Sequence, residues 1–431
     1  MRHGPTGAPK GAVVRFSCYC AVQQRYCCDR VAEIASIPDV TEGTPPLRKI
    51  SDTIARLTAL QARLAPQAAT SGVSDRLHAL ARFGTNPGAL AAKFHVPDGI
   101  DKGAPLVVVL HGCTQTAAGY DHHSGWSQLA DEAGFALLFP EQQRANNPNL
   151  CFNWFLPGDA RRGSGEALSI REMIETMVAT HCLDRNRIFI TGLSAGGAMA
   201  SAMLASYPEV FAGGAIIAGL PYGSATTIPE AFDRMRGHGG PSEENLQRLV
   251  QNASTHEGPW PRISIWHGSA DPTVAPSNAE ALVTQWRGVH ALEKRPTRSE
   301  ASGRHTRHVW HDAEGLAAIE VNIIAGMAHG TPLGGDGLGT PGPFMLDVGI
   351  SSTREIARVW GIADADKREP APLRPDAAAK GERPSLGLSA AEKVKVDATT
   401  RQPRSSPGSA ANASGVKTII EDALKAAGLM R

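Results

Sequence analysis

The sequence lacks any apolar run approaching the roughly 20 residues that a bilayer-spanning helix requires. It also shows no signal-peptide pattern. Residues 1–10 are polar and rich in Gly and Pro, and no apolar stretch of about 7–15 residues follows them. Read literally, the chain starts in the cytoplasm. Charge of one sign is absent too: Lys and Arg total 43 against 42 Asp and Glu. That balance gives no reason to expect nucleic acid or another polyanion as partner. The seven cysteines are an odd number, which argues against a fully paired disulfide framework. Four of them, Cys18, Cys20, Cys27 and Cys28, crowd the N-terminus in the spacing C-x-C-x6-C-C. This spacing matches no common zinc pattern, and no His or Asp stands ready to complete one, so neither metal nor organic cofactor is expected.

What is present is enough for one sizeable core with extensions: 431 residues, 42% of them hydrophobic, with 45 Gly and 30 Pro marking many loops. Residues 1–45 show no sustained period and are expected to be a disordered extension. In the next segment, 46–87, Ile50, Ile54, Leu57, Gln61 and Leu64 fall on one helical face before Pro66 ends the pattern, and 67–87 reads as a linker. Residues 362–414 are rich in Ala, Pro, Ser and mixed charge, and are expected to form a disordered linker. In 415–431, Val416, Ile419, Ile420, Ala423, Leu424 and Ala427 make a second amphipathic helix, stopped by Gly428. The two terminal helices are candidates for self-association or for docking on a surface. The alternative is that each packs on the core or on the other.

Between them, residues 88–361 alternate short apolar runs with helical stretches. The runs are Leu90–Val96, Leu106–Leu110, Phe135–Phe139, Ile188–Ile190, Ala215–Ile217, Ile263–Trp266 and Ile319–Ile324. Helices are expected near 126–133, 169–180 and 196–206. Such alternation predicts an α/β fold with a mostly parallel central sheet covered on both faces. Ligands in that architecture bind beyond the C-terminal ends of the strands.

The chemically suggestive residues all follow strand ends. Gly192-Leu193-Ser194-Ala195-Gly196 is a G-x-S-x-G pentapeptide between the strand Arg187–Thr191 and a small-residue helix. That context is what a nucleophile elbow needs: a tight turn with tiny neighbours lifts the hydroxyl clear of the sheet. The alternative is a Gly-rich structural turn. A serine needs a base, and in this fold the acid and the histidine follow in that order. Asp271 lies at a loop tip after the strand Ile263–Trp266, and could otherwise only start the turn before Pro272. His329 follows the final strand in a short loop beside Gly330. The other histidines after Asp271, namely His290, His305, His308 and His311, are alternatives without that position. His305 and His308 lie in a charged run with Arg304 and Arg307 that reads as a solvated face, and His311 precedes the final strand. Acyl transfer also needs donors for the developing oxyanion. The N–H of Ala195 and that of Cys113, in the loop His111-Gly112-Cys113-Thr114-Gln115, are the candidates.

At these residues the sequence resembles the poly(3-hydroxybutyrate) depolymerase family of esterases. The resemblance spans roughly residues 88–335. It is carried by His111–Gln115, Gly134-Phe135 through Pro140-Glu141-Gln142, Asn147, Cys151–Phe155, Gly192–Gly197 and Gly326–Gly330. It implies an α/β-hydrolase fold and hydrolysis of carboxylic esters, with hydroxyalkanoate oligomers or polymer as substrate. It also implies an extracellular workplace, although no signal peptide is visible. A more distant similarity to feruloyl and acetylxylan esterases makes a carbohydrate ester the alternative substrate. A further alternative is a granule- or surface-binding protein with vestigial activity. Cys113 and Cys151 lie in family-like segments near the oxyanion loop; a disulfide pinning that loop and two small buried hydrophobes are both open readings. Trp154, Phe152 and Trp126, with Phe155, are candidates to line the acyl cleft, the alternative being core.

Overall fold

The computed structural model describes residues 76–363. The expected terminal helices, the four N-terminal cysteines and nearly all of the expected linker 362–414 lie outside the described residues.

The elements are, in chain order, β1 (His78–Ala79), β2 (Ala91–His95), β3 (Leu106–Leu110), α1 (Ala117–Ser124), α2 (Trp126–Ala133), β4 (Ala136–Glu141), α3 (Pro157–Ala160), α4 (Gly165–His181), β5 (Ile188–Leu193) and α5 (Ala195–Ser206). They continue with β6 (Gly213–Ile217), α6 (Ile228–Met235), α7 (Glu243–Gln251), β7 (Arg262–Gly268), α8 (Ser277–Val289), β8 (Arg298–Ser302), β9 (His305–His311), β10 (Ala317–Ile324), β11 (Thr331–Leu333), β12 (Met345–Asp347) and α9 (Ser352–Val359).

A 10-stranded sheet runs β1-β2-β4-β3-β5-β6-β7-β10-β9-β8. Its centre, from β4 to β10, is parallel, and both edges are finished by antiparallel strands. This is the α/β-hydrolase architecture. Strand β3 shows why the central strands read as unbroken apolar runs. Leu106, Val108 and Leu110 belong to the core on one face, while Val107 and Val109 belong to the core on the other. With both faces covered, alternation brings no polar position. Helix α5 is buried along its whole length, and its Ala, Gly and Ser side chains let it lie close against the sheet.

The edges differ from expectation. Within the stretch read as a linker up to residue 87, His78 and Ala79 already pair with Phe94 and Lys93 of β2. At the other edge, the charged run around 298–311 forms the hairpin β8–β9, with β9 paired along β10. Arg307 is held there by Glu320, and His305 by Asn322. In the half-buried strand β9 paired charges and hydrogen bonds take the place of apolar contacts, and β8 is mostly exposed, so the pattern does not look like a strand.

Candidate active site

The loops that follow β3, β5, β6, β7 and β10 converge on one cavity of about 180 Å3. It contains Gly112, Cys113, Ser194, Ala195, Leu220, Thr273, Val274 and His329, one group from each loop or more.

Ser194 stands between β5 and α5 at φ 57°, ψ −116°, a combination that side chains rarely adopt and that costs about 1–3 kcal/mol. The surroundings hold it there: its N–H donates to the Ile217 carbonyl at 2.9 Å, and its carbonyl accepts from Ala198 N–H at 2.8 Å. The flanking glycines are required by contact. A Cβ on Gly192 would come within 2.4 Å of the Gly196 carbonyl oxygen, and one on Gly196 within 2.5 Å of the Leu110 and His111 carbonyl oxygens. The second contact also sets the start of α5 against the end of β3, which brings Ala195 beside the loop carrying Cys113.

His329 Nδ1 lies 2.7 Å from Asp271 Oδ2. Asp271 Oδ1 accepts from the N–H groups of Thr273 at 2.8 Å and Val274 at 2.9 Å. Burial works against the charge on Asp271. The hydrogen bond and electrostatic interaction with His329, the Val274 N–H and nearby His267 outweigh it and hold the carboxyl below its ordinary range. His267 is buried, its Nε2 is 2.9 Å from the Val274 carbonyl, and burial keeps its own pKa low. The two loops are stitched directly. Ala270 N–H donates to the Met327 carbonyl at 3.0 Å, and Gly326 N–H to Ser269 Oγ at 2.9 Å. Only glycine fits at 268, where a Cβ would lie 2.2 Å from the Met327 oxygen. Ser194 and His329 face the same cavity, without a hydrogen bond between them among the described residues.

Neither Cys113 N–H nor Ala195 N–H has a protein acceptor among the described residues, and both residues line the cavity beside Ser194. The loop bearing Cys113 is tied from several sides. Gly112 N–H donates to Gln115 Oε1 at 2.8 Å, Thr114 N–H to the Asn149 carbonyl at 2.7 Å, and Cys113 is disulfide-bonded to Cys151. His111 is buried and lies 2.8 Å through Nδ1 from the Gly112 carbonyl, while its Nε2 accepts from Gln142 N–H at 3.1 Å. Those two partners require the neutral ring protonated on Nδ1, and burial lowers its pKa accordingly.

Of the aromatic residues expected in the cleft, Trp154 and Phe155 line it. Phe152 and Trp126 do not, and this corrects the expectation. Phe152 is 0% exposed and packs 5.0 Å from the His111 ring, beneath the loop. Trp126 is 1% exposed and sits in the opposite core, between Trp360 and Phe135. A large aromatic ring is buried equally well in core or cleft, so residue type alone does not tell the two apart. The remaining apolar wall comes from residues not singled out from the sequence: Leu220, Phe344, and Ile228, Ala231, Phe232 and Met235 of α6. Their i, i+3, i+4, i+7 spacing is the available signal.

Residues 90–307 match the family described as "Esterase PHB depolymerase". The poly(3-hydroxyalkanoate) depolymerase C of Paucimonas lemoignei is 46% identical over 288 residues, which is 66% of this chain and 69% of that protein. Feruloyl esterase B of Neurospora crassa is 30% identical over 274 residues, 61% of this chain and 91% of the relative. Among solved structures, the acetyl xylan esterase from Aspergillus awamori superposes with a TM-score of 0.58 at 24% identity, over 67% of this chain and 99% of that one, a likeness of fold. The chain therefore belongs to the PHB depolymerase family of esterases, and it is a carboxylic ester hydrolase with the α/β-hydrolase fold.

Proposed function

We propose that the protein hydrolyses esters of hydroxyalkanoates, oligomeric or polymeric, with Ser194 as nucleophile, His329 as general base and acid, and Asp271 as the carboxylate that orients it. The observation that carries this reading is the meeting of a strained serine and a carboxylate-held histidine in one cavity. Asp271 holds the His329 proton on Nδ1, leaving Nε2 free to take the Ser194 proton as Oγ attacks the ester carbonyl. The N–H groups of Cys113 and Ala195 receive the oxyanion. The alcohol leaves with the proton from His329, and water repeats the attack on the acyl-enzyme. The wall of Trp154, Phe155, Phe232 and Met235 suits an aliphatic acyl chain, since apolar pockets gain from burying CH2 groups.

The carbohydrate-ester reading rests on the similarity to feruloyl and acetylxylan esterases. A panel of 3-hydroxybutyrate oligomers, p-nitrophenyl alkanoates, acetylated xylan and methyl ferulate separates the two. The proposal expects the hydroxyalkanoate and aliphatic esters to lead; a lead for acetylxylan or ferulate overturns it. An extracellular workplace is supported by the Cys113–Cys151 bond, because disulfides persist where the surroundings oxidise. No helix among the described residues is long and apolar enough to cross a membrane. Self-association or surface docking rests only on the apolar faces at 50–64 and 416–427, and requires that truncating both changes the oligomeric state or the binding to polymer.

A further inference from the structure

Glu166, in the first turn of α4, is fully buried and, among the described residues, has no cation beside it. Its Oε2 accepts from Asn153 N–H at 2.8 Å. Its Oε1 accepts from Gln142 Nε2 at 2.6 Å, Asn153 Nδ2 at 2.8 Å and, at the longer 3.3 Å, Asn146 Nδ2. The orientation of each amide is dictated by backbone groups. Gln142 Oε1 accepts Gln143 N–H while its Nε2 donates to the Cys151 carbonyl. Asn146 Nδ2 donates to the Gly88 carbonyl. Asn147 Oδ1 accepts the N–H groups of Asn149 and Cys151, so its Nδ2 donates to Asn153 Oδ1 and turns Asn153 Nδ2 toward Glu166. Each hydrogen-bond partner of the carboxyl among the described residues is a donor, so protonation would set an O–H against donors.

The strap these residues form, 142–155, carries one wall of the cavity: Asn147, Asn149, Cys151, Trp154 and Phe155. It reaches the oxyanion loop by the Cys113–Cys151 disulfide and by the Thr114 N–H to Asn149 carbonyl bond. We propose that Glu166 is a positioning residue for ester hydrolysis: a buried acceptor that ties the strap to α4 and thereby holds both the acyl wall and the Cys113 N–H in place. This rests on the reading of the cavity as the ester site. The first turn of a helix favours an anion, which supports the charged form. Burial opposes it and pushes the pKa up to about 8. The ionisable group acting on it is Asp159, another carboxylate, which accepts Glu166 N–H, and His111 lies one hydrogen bond further, on Gln142 N–H. The carboxylate form therefore prevails only above about pH 8, and protonation as the pH falls through that value sets an O–H against donors and weakens the strap.

The test compares Glu166→Gln with Glu166→Asp in the full chain, with active sites counted by fluorophosphonate labelling of Ser194. Gln keeps the shape but turns an N–H2 toward donors; Asp loses a methylene but stays acceptor-only. The proposal expects Glu166→Gln to lower kcat per labelled site about 10- to 100-fold with a smaller change in KM, as for a displaced oxyanion donor. It expects Glu166→Asp to lose less. A better result for Gln than for Asp, or kcat within twofold of wild type in both, overturns it. Wild type that does not label at Ser194 instead overturns the nucleophile reading, a separate failure. Should Glu166→Gln not fold, Asn153→Asp decides, since it replaces a donor facing Glu166 by a carboxylate at constant shape. The acid limb of kcat then moves to higher pH by about one unit, the scale of a neighbouring like charge; an unmoved limb overturns the proposal.

Discussion

Asp271 and His329 are 58 residues apart in sequence and 2.7 Å apart in the structure, joined Oδ2 to Nδ1, with loop-to-loop bonds on either side that leave the pair little room to drift. If this bond fixes the tautomer that lets His329 act as base, Asp271→Asn keeps the shape and loses the reaction. The expected drop in kcat is about 10,000-fold with KM little changed. Steady-state kinetics on a p-nitrophenyl ester decides, and a loss under tenfold removes Asp271 from the triad.

The same carboxylate carries a pH signature. Its pKa in the folded protein lies below the ordinary carboxylate range. Its contribution to stability is therefore fully present above the unfolded value of about 4 and is lost as pH falls through the lower folded value. Denaturant unfolding of wild type and Asp271→Asn across pH should show a constant gap at pH 5–8 that closes below about pH 4. A gap that widens on acidification contradicts the assignment.

The disulfide joins residues 38 apart, and closing a loop of that length in the unfolded chain stabilises by about 4 kcal/mol on entropy grounds. It also joins the oxyanion loop to the strap beside the acyl wall. The double variant Cys113→Ser, Cys151→Ser is expected to lose about 2–4 kcal/mol and, in the fraction still folded, at least tenfold in kcat. Thermal unfolding together with kcat per labelled Ser194 separates the two effects. Unchanged kcat would mean that the loop needs no pin.

Core and cleft aromatics should respond in opposite ways. Trp126→Ala opens a hole between Trp360 and Phe135 and is expected to cost about 3–5 kcal/mol while leaving KM alone. Phe232→Ala, on the half-buried face of α6 in the cavity, is expected to cost little stability and to raise KM for longer acyl chains by about three- to tenfold. Chain-length profiles beside melting curves check both.

Much of the fold around this site is legible in the sequence. Strands β3 and β5 read as they are because burial on two faces leaves one kind of residue, and the elbow reads because backbone contacts at 192 and 196 exclude a side chain. Three parts were not legible, each for a physical reason. The hairpin β8–β9 satisfies half-buried positions with Arg307–Glu320 and His305–Asn322, so its residues resemble a solvated face. Helix α6 is only eight residues long, two turns, too short for its period to stand out between its flanking breakers. Phe152 and Trp126 are aromatic like Trp154, but Trp126 packs in the core on the other face of the sheet, and Phe152, on the same face as Trp154, is fully buried against His111.

The network around Glu166 was visible only as isolated letters. Gln142, Asn147 and Asn153 stand out in the sequence only within the segments that carry the family resemblance, and Asn146 does not stand out. Their meaning comes from backbone groups that orient each amide toward one carboxylate.

The most direct test of the central claim is to trap the acyl-enzyme. Wild type and Ser194→Ala are mixed rapidly with a p-nitrophenyl ester, the burst of p-nitrophenol is recorded, and the acid-quenched protein is digested and mapped by mass. The account predicts a burst near one equivalent and an acyl group on the peptide containing Ser194 in wild type, with neither in the variant. An active enzyme with no adduct, an adduct on another residue, or undiminished turnover by Ser194→Ala would contradict it.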